Sequence, residues 1–219
     1  MNETSLTVRV FRLIVAALVC FYFFYNFHPS VWTSQLGWSW RFLTTWGQTL
    51  SLVVALLMLA RSFGYTSQWP DALVSVTVVL NIMIVYLYWN TAGVDSDGTP
   101  PVWWRQYYIH GLGPALQWFD AFFIFGCFRR PIRIGVGLIS VIALYVLWME
   151  LVLEPFTSSP VGTATSGLPY PFLNDMTFNA RIEYYGETIL VYGFLAAFVC
   201  GLIALLLRRS VGLGKPQNL

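Results

Sequence analysis

Six long blocks of apolar residues place the strongest constraint on how this chain can fold. They cover residues 11–27, 42–60, 73–89, 107–128, 134–153 and 188–207. Each block is long enough to cross about 30 Å of hydrocarbon as an α-helix. A transmembrane β-barrel would need shorter segments of about ten residues in which apolar and polar positions alternate. Because lipid offers the backbone no hydrogen bonds, the continuous blocks predict an all-α integral membrane protein, a bundle of six transmembrane helices.

The composition agrees with this class of protein. Hydrophobic residues make up 57% of the 219 residues, charged residues make up 10%, and the mean hydropathy is +0.64. Soluble domains carry about 25% charged residues. No internal repeat and no soluble domain is visible, so we expect residues 1–219 to form one multi-pass domain in a plasma, inner or endoplasmic reticulum membrane.

The basic residues predict the orientation of the bundle. Nine fall on one side of the predicted membrane, namely Arg9, Arg12, Arg61, Arg129, Arg130, Arg133, Arg208, Arg209 and Lys215. Three fall on the other side, namely Arg41, Arg105 and Arg181. Because cytoplasmic loops carry an excess of Lys and Arg, both termini are expected in the cytoplasm. These basic clusters are too short to indicate a nucleic-acid partner.

The extracytoplasmic connection between the fifth and sixth helices is predicted to be long, from about 154 to 187. Connections of this length in a compact bundle are commonly lids or binding loops. This one contains an aromatic and proline-rich run at 167–173, which we expect to form an ordered cap.

Polar residues within the apolar blocks indicate where a site could lie, because charges in hydrocarbon usually face a bundle interior or a hydrated cavity. Counting about 1.5 Å per residue from the block ends, we expect Thr44, His110, Glu150 and Glu187 in the outer layer and Asp120 deeper. Such a cavity could hold a lipid substrate. A kink is also expected at His110, because Pro114 cannot donate the helical hydrogen bond that the His110 carbonyl would accept.

Three separated motifs carry a family resemblance. The first is Gly-Trp-Ser-Trp-Arg-Phe-Leu-Thr at 37–44, and the second is His110 with Pro114 and Asp120 after it. The third is Tyr-Pro-Phe-Leu-Asn at 170–174, followed by Ala-Arg-Ile at 180–182 and Tyr-Gly at 185–186. In this order the motifs resemble those of the androgen-induced-gene family of six-span membrane hydrolases, and the similarity covers nearly the whole chain.

The resemblance implies an intramembrane threonine hydrolase that cleaves fatty acid esters of hydroxy fatty acids or similar acyl lipids, without a cofactor. Thr44 matches the proposed nucleophile of the family, and His110 matches its supporting histidine. The family has two histidines three residues apart, whereas this chain has a single histidine, His110, at the corresponding place. We align His110 with the second, because this register keeps an acidic residue, Asp120, ten positions later.

The chemistry asked of this pair is plausible, because a threonine hydroxyl needs a neighbouring base and a neutral imidazole can serve. By depth, Glu150 is the favoured group to orient His110, with Glu187 next, since Asp120 lies about 15 Å further along its helix. Backbone amides, Arg41 or Arg181 are candidate donors to the acyl oxyanion. The remaining candidates for substrate contact lie within the motifs and are Trp40, Tyr170 and Phe172.

Two other classes of function remain open. A non-catalytic membrane subunit or lipid-binding scaffold, associated with other membrane proteins, is favoured by the missing second histidine and by the many interfacial aromatic residues. A haem or pigment protein would use His28 and His110 as axial ligands. No group of His, Cys, Asp or Glu shows the spacing of metal ligands, so no metal site is expected.

Overall fold

The computed structural model describes residues 3–28, 36–65, 70–91, 102–157 and 167–211, and within these ranges it contains helices and turns but no strand. The first three helices are unbroken α-helices, Leu6–Tyr25, Leu43–Ser62 and Pro70–Thr91. Two short elements lie outside the long helices, a 3₁₀ turn at Trp38–Arg41 and a helical turn at Pro171–Asn174.

The fourth, fifth and sixth helices each contain π-helical segments, in which one extra residue is inserted per turn. The fourth helix consists of Trp103–Tyr107, π segment Tyr108–Leu112, Gly113–Phe119 and π segment Asp120–Phe125. The fifth consists of Pro131–Trp148, π segment Met149–Leu153 and Glu154–Phe156. The sixth consists of Phe178–Tyr184, π segment Tyr185–Val191 and Tyr192–Val211. Such π segments occur frequently at functional sites.

Five of these helices are long and apolar enough to cross a membrane, and they are the first, second, third, fifth and sixth. The chain therefore has the helices of a multi-pass membrane protein. The fourth helix is less apolar than these five, because His110, Gln117 and Asp120 lower its hydropathy. All three side chains are buried in the bundle.

The predicted boundaries differ most at the sixth helix. We predicted a start at 188, but the helix begins at Phe178, where the Thr177 hydroxyl caps it by accepting a hydrogen bond of 3.4 Å from the Ala180 amide. The fifth helix also continues to Phe156. The connection between them is therefore 157–177, and the prediction of a loop over 154–187 is wrong in length. Residues 158–166 of that connection lie outside the described ranges.

The third helix is the centre of the bundle. It packs against the second, fourth, fifth and sixth helices, and the first helix packs against the second and fourth. Gly47 allows the second and third helices to approach closely, because a Cβ atom there would lie 2.3 Å from Cδ1 of Ile84. The main apolar core surrounds this contact and includes Leu80, Leu138 and Met149.

Buried polar side chains tie the middle of the second, third and fourth helices together. The Asn81 amide nitrogen donates to the Ser51 hydroxyl and to the Gln117 side-chain oxygen, both at 3.0 Å. The Gln117 amide nitrogen in turn donates to the Ser51 carbonyl at 3.0 Å. Hydrogen bonds of this kind between helices stabilise the packing of membrane bundles.

Candidate functional site

A cavity of about 100 Å³ lies at the end of the bundle where the second helix begins. This volume equals the share of roughly three water molecules in the liquid, so the cavity could take an ester group and a few methylene groups. Its wall is mainly apolar and phenolic, and it is formed by Leu43, Thr44, Ile84, Leu87, Tyr88, Tyr145, Met149, Tyr170, Phe172, Leu173, Tyr184 and Tyr185. Three predicted site residues, Thr44, Tyr170 and Phe172, therefore lie on one surface.

The motif at 37–44 places Thr44 in this wall. Gly37 adopts a φ of 81°, and a Cβ atom there would lie 3.0 Å from the side chains of both Trp148 and Leu153, so only glycine fits against the fifth helix. The following 3₁₀ turn ends at Phe42, whose extended backbone starts the second helix. Thr44 is the second residue of that helix.

Trp40 and Arg41 build the support beneath the start of the second helix. The Trp40 ring lies 6.4 Å from the ring of Trp46, whose indole donates a 2.9 Å hydrogen bond to the Trp40 carbonyl. Arg41 is 3% exposed, and its guanidinium donates to the Gly167 carbonyl. The Arg41 carbonyl accepts a 2.9 Å hydrogen bond from the Tyr145 hydroxyl. Both residues therefore hold the site together, and neither is among the residues that line the cavity.

The run at 167–174 folds over the cavity. The Asn174 side chain accepts from the Leu168 amide at 2.8 Å and donates to the Leu168 carbonyl at 3.1 Å, which fixes this run as a closed turn. The phenol groups of Tyr170 and Tyr145 interact with each other and with the backbone amide of Leu43. Burial of its hydroxyl group raises the pKa of Tyr170, so this phenol stays protonated at neutral pH. Residues 168–174 thus form a hydrogen-bonded turn whose Tyr170, Phe172 and Leu173 line the cavity.

His110 lies at the predicted kink in the fourth helix. Its backbone is non-helical, with φ −108° and ψ 21°, and it sits within the first π segment of that helix. The kink expected from Pro114 is therefore confirmed. The indole of Trp89 on the third helix donates a 2.8 Å hydrogen bond to the His110 carbonyl, the group that Pro114 leaves without a helical donor.

The imidazole of His110 is next to the cavity but is not among the side chains that line it. It stacks face to face on the Tyr88 ring, with ring centroids 3.6 Å apart, and Tyr88 lines the cavity. The imidazole Nδ1 is buried and makes no hydrogen bond within the described ranges. Its polar neighbour is the backbone of Gln106, one turn earlier in the fourth helix. Thr44 and His110 are therefore linked through Tyr88 and not by a direct hydrogen bond in the described chain.

Glu150 binds Arg181 instead of His110. The two side chains form a two-point ion pair, with Arg181 nitrogens 2.7 and 2.8 Å from the carboxylate oxygens. The Tyr185 hydroxyl donates to the same carboxylate at 2.9 Å, and Tyr185 lines the cavity. This pair lies behind the cavity wall, which leaves Arg181 unsuited to donate to an oxyanion.

The other predicted residues lie elsewhere. Asp120 binds Arg12 of the first helix, with distances of 2.7 and 2.8 Å, ten residues along the fourth helix from His110. Glu187 is exposed on the sixth helix. His28 is exposed and stacks on Tyr25, with ring centroids 5.8 Å apart, whereas His110 stacks on Tyr88.

The tyrosines of the cavity were missed by the sequence analysis. Tyr88, Tyr145, Tyr184 and Tyr185 belong to three different helices, and the sequence analysis named none of them as a site residue. A usable signal was present for Tyr145, because it lies five residues before Glu150 in an otherwise apolar block.

No group of three or more His, Cys, Asp and Glu side chains that could hold a metal ion occurs in the described part of the chain.

A comparison of the chain with known protein families, with curated proteins and with solved structures finds no significant match. The family resemblance accordingly rests on the three sequence motifs.

Proposed function

We propose that this protein is a membrane lipid ester hydrolase in which Thr44 is the nucleophile. The observation that carries the proposal is the position of Thr44 in the wall of a phenol-rich cavity, whose Tyr88 stacks on His110. The resemblance to the androgen-induced-gene family supports the same residues. Fatty acid esters of hydroxy fatty acids, or acyl lipids of similar shape, are the substrates we infer.

The reaction proceeds in two steps that conserve atoms. The Thr44 hydroxyl oxygen attacks the acyl carbon while its proton passes to His110, and the alcohol leaves with the proton that His110 returns. Water then attacks the acyl-threonine with the same base, which releases the fatty acid and restores the hydroxyl. The proton transfer requires the Tyr88 ring to leave its stack on His110 when substrate enters.

The oxyanion of each step needs hydrogen-bond donors, and the start of the second helix offers them. No side chain caps this helix. Of its first three backbone N–H groups, that of Thr45 donates to the Phe42 carbonyl at 3.0 Å and that of Leu43 is next to the phenols of Tyr145 and Tyr170, so the Thr44 N–H is the backbone donor we propose. The protonated phenol of Tyr170 is next to the Leu43 amide. These donors are better placed than Arg41, which is occupied by the Gly167 carbonyl.

A six-span topology with cytoplasmic termini is part of the proposal. The fourth helix, residues 103–125, extends about 34 Å at 1.5 Å per residue, which suffices to cross a bilayer. Three of its polar side chains, those of His110, Gln117 and Asp120, are buried in the bundle. Single cysteines at 67 and 132 should then react with impermeant reagents from the cytoplasmic face, and one at 102 from the opposite face.

The decisive experiment measures fatty acid release by purified full-length protein in proteoliposomes that contain a palmitate ester of hydroxystearic acid. We expect Thr44→Ala and His110→Ala each to lower the rate by about 100-fold or more, and Thr44→Ser to retain part of it. Thr45→Ala is the matched control, because Thr45 is the next residue of the helix and is not among the cavity residues. Full activity in Thr44→Ala overturns the mechanism.

A non-catalytic lipid-binding scaffold is the second candidate, favoured by the closed stack of His110 on Tyr88. In that case the wild-type protein binds the ester without turnover, and Thr44→Ala binds it equally well. Turnover that depends on Thr44 excludes this alternative.

A further inference from the structure

The arginines at the cavity end of the bundle differ in how their charges are balanced. Arg181 has Glu150 as a two-point partner at 2.7 and 2.8 Å and Glu154 at 3.7 Å. Arg105, at the start of the fourth helix, has no carboxylate within ion-pair distance in the described part of the chain. Its single hydrogen bond there is from Nη2 to the Asn26 side-chain oxygen, at 2.7 Å. Its Nε is buried and without a partner among the same residues.

Asn26 fixes Arg105 in place without neutralising it. Asn26 is 1% exposed, its amide nitrogen donates to the Gln48 side chain, and its carbonyl accepts a 3.1 Å hydrogen bond from the Ser39 hydroxyl. These bonds aim the Asn26 amide oxygen at Arg105. A guanidinium held in this way by a neutral, buried acceptor keeps its full positive charge and its free N–H groups.

Arg105 is also close to the cavity wall. It lies five residues before His110 on the fourth helix, about 7.5 Å along the helix axis, and His110 stacks on Tyr88, which lines the cavity. An anion bound at Arg105 would thus lie on the His110 side of the cavity.

We propose that Arg105 binds the anionic oxygen group of a lipid, a carboxylate or a phosphate, whose acyl chain extends toward the Thr44 cavity. A guanidinium presents paired N–H groups that match both anions, and such charge-assisted hydrogen bonds are stronger than neutral ones. An anion there also balances a partly buried charge that the described chain leaves uncompensated. The inference deepens the proposed function by naming the charged end of its ligand, and it rests on that function only for where the acyl chain lies.

The test compares the binding of oleate, oleyl phosphate and oleyl alcohol to full-length protein in a neutral detergent. None of these probes is a carboxylic ester, so binding is measured independently of hydrolysis. We expect at least one anion to bind about tenfold or more tightly than the alcohol, the ratio expected for one charged hydrogen bond. Preference for oleate identifies a carboxylate as the ligand, and preference for oleyl phosphate identifies a lipid head group.

Two variants test the role of Arg105. Arg105→Gln removes the charge, and Asn26→Asp keeps Arg105 but gives it a carboxylate of its own at the position of the amide oxygen; both should abolish the preference for anions. Arg133→Gln, an exposed arginine on the fifth helix, is the matched control and should keep it. The proposal is overturned if wild-type protein shows no preference, or if either variant that elutes as a monodisperse peak retains it. Ester hydrolysis that depends on Thr44 but shows no anion preference would overturn this inference alone.

Discussion

The indole nitrogen of Trp89 donates a 2.8 Å hydrogen bond to the backbone carbonyl of His110. Pro114 cannot provide the helical donor for this carbonyl, so the third helix supplies the bond that the fourth helix lacks. The irregular backbone at His110 and the packing of the third helix are thereby coupled. His110 is held in position from both sides, by Trp89 at its carbonyl and by Tyr88 at its ring.

Replacing Trp89 by Phe should destabilise the protein by about 1 to 3 kcal/mol, because the His110 carbonyl then stays buried without a partner. Pro114→Ala restores a backbone N–H four residues later, so the cost of Trp89→Phe should be smaller in that background. Denaturant unfolding of the four proteins in detergent gives this coupling as a double-mutant cycle. Trp103→Phe is the control, since Trp103 is 70% exposed. Equal costs in both backgrounds would contradict the proposed coupling.

The helices could be predicted from hydropathy because each apolar block is long enough to cross about 30 Å of hydrocarbon as an α-helix. Their ends could not, since local caps decide them. Ser5 caps the first helix and Thr177 caps the sixth, and both lie outside the apolar blocks. The fourth helix shows the limit of hydropathy in the opposite sense, because buried Gln117 and Asp120 reduce its apolar character without interrupting the helix.

The sequence predicts how deep in the membrane the candidate site residues lie, but not which way their side chains point. Counting residues from a block end gives a position along the helix axis, and this placed Thr44 and His110 near the same end of the bundle. It does not give the face of the helix on which a side chain lies. The extra residue in each π segment also shifts the residues that follow to a different face. Glu150 lies in such a segment and points to Arg181, so its role as a partner of His110 could not be tested by depth alone.

The buried ion pair between Arg12 and Asp120 makes a second prediction. Arg12 is 1% exposed, and besides Asp120 its guanidinium donates to the Met58 carbonyl at 3.0 Å. Asp120→Asn removes the two-point partner of this guanidinium and leaves it only the single contact with Glu3 at 3.3 Å, so it should cost about 3 kcal/mol or more, whereas Arg12→Met combined with Asp120→Leu should cost less than the single change. Unfolding in detergent measures both. The control is Asp175→Asn, at an exposed position, which should change stability little. A double variant that is less stable than Asp120→Asn would refute the explanation.

Glu3 should make stability depend on pH in the acid range. Burial opposes ionisation of this carboxyl, but the guanidinium groups of Arg61 and Arg12, at 3.1 and 3.3 Å, outweigh it and hold the pKa of Glu3 below its usual value of 4.5. Because the folded pKa is the lower one, the stabilisation is complete above the unfolded pKa and is lost as the pH falls through the folded value. Unfolding experiments from about pH 7 to pH 3 should therefore show a steeper acid loss in wild type than in Glu3→Gln. Parallel curves would show that Glu3 contributes nothing.

The contact between Gly47 and Ile84 predicts a change in the sign of a mutational effect. A Cβ atom on Gly47 would overlap Cδ1 of Ile84, and Ile84 is only 6% exposed, so Gly47→Ala forces this side chain to shift within the interface of the second and third helices. We expect this overpacking to cost about 1 to 3 kcal/mol. Ile84→Val removes the clashing methyl group, so it should cost about 0.5 to 1.5 kcal/mol in the wild-type background but stabilise the Gly47→Ala protein. Gly201→Ala is the control, because nothing lies within 4 Å of its Cβ position. Additive costs for Gly47→Ala and Ile84→Val in detergent unfolding would mean that the two helices are not held together at this point.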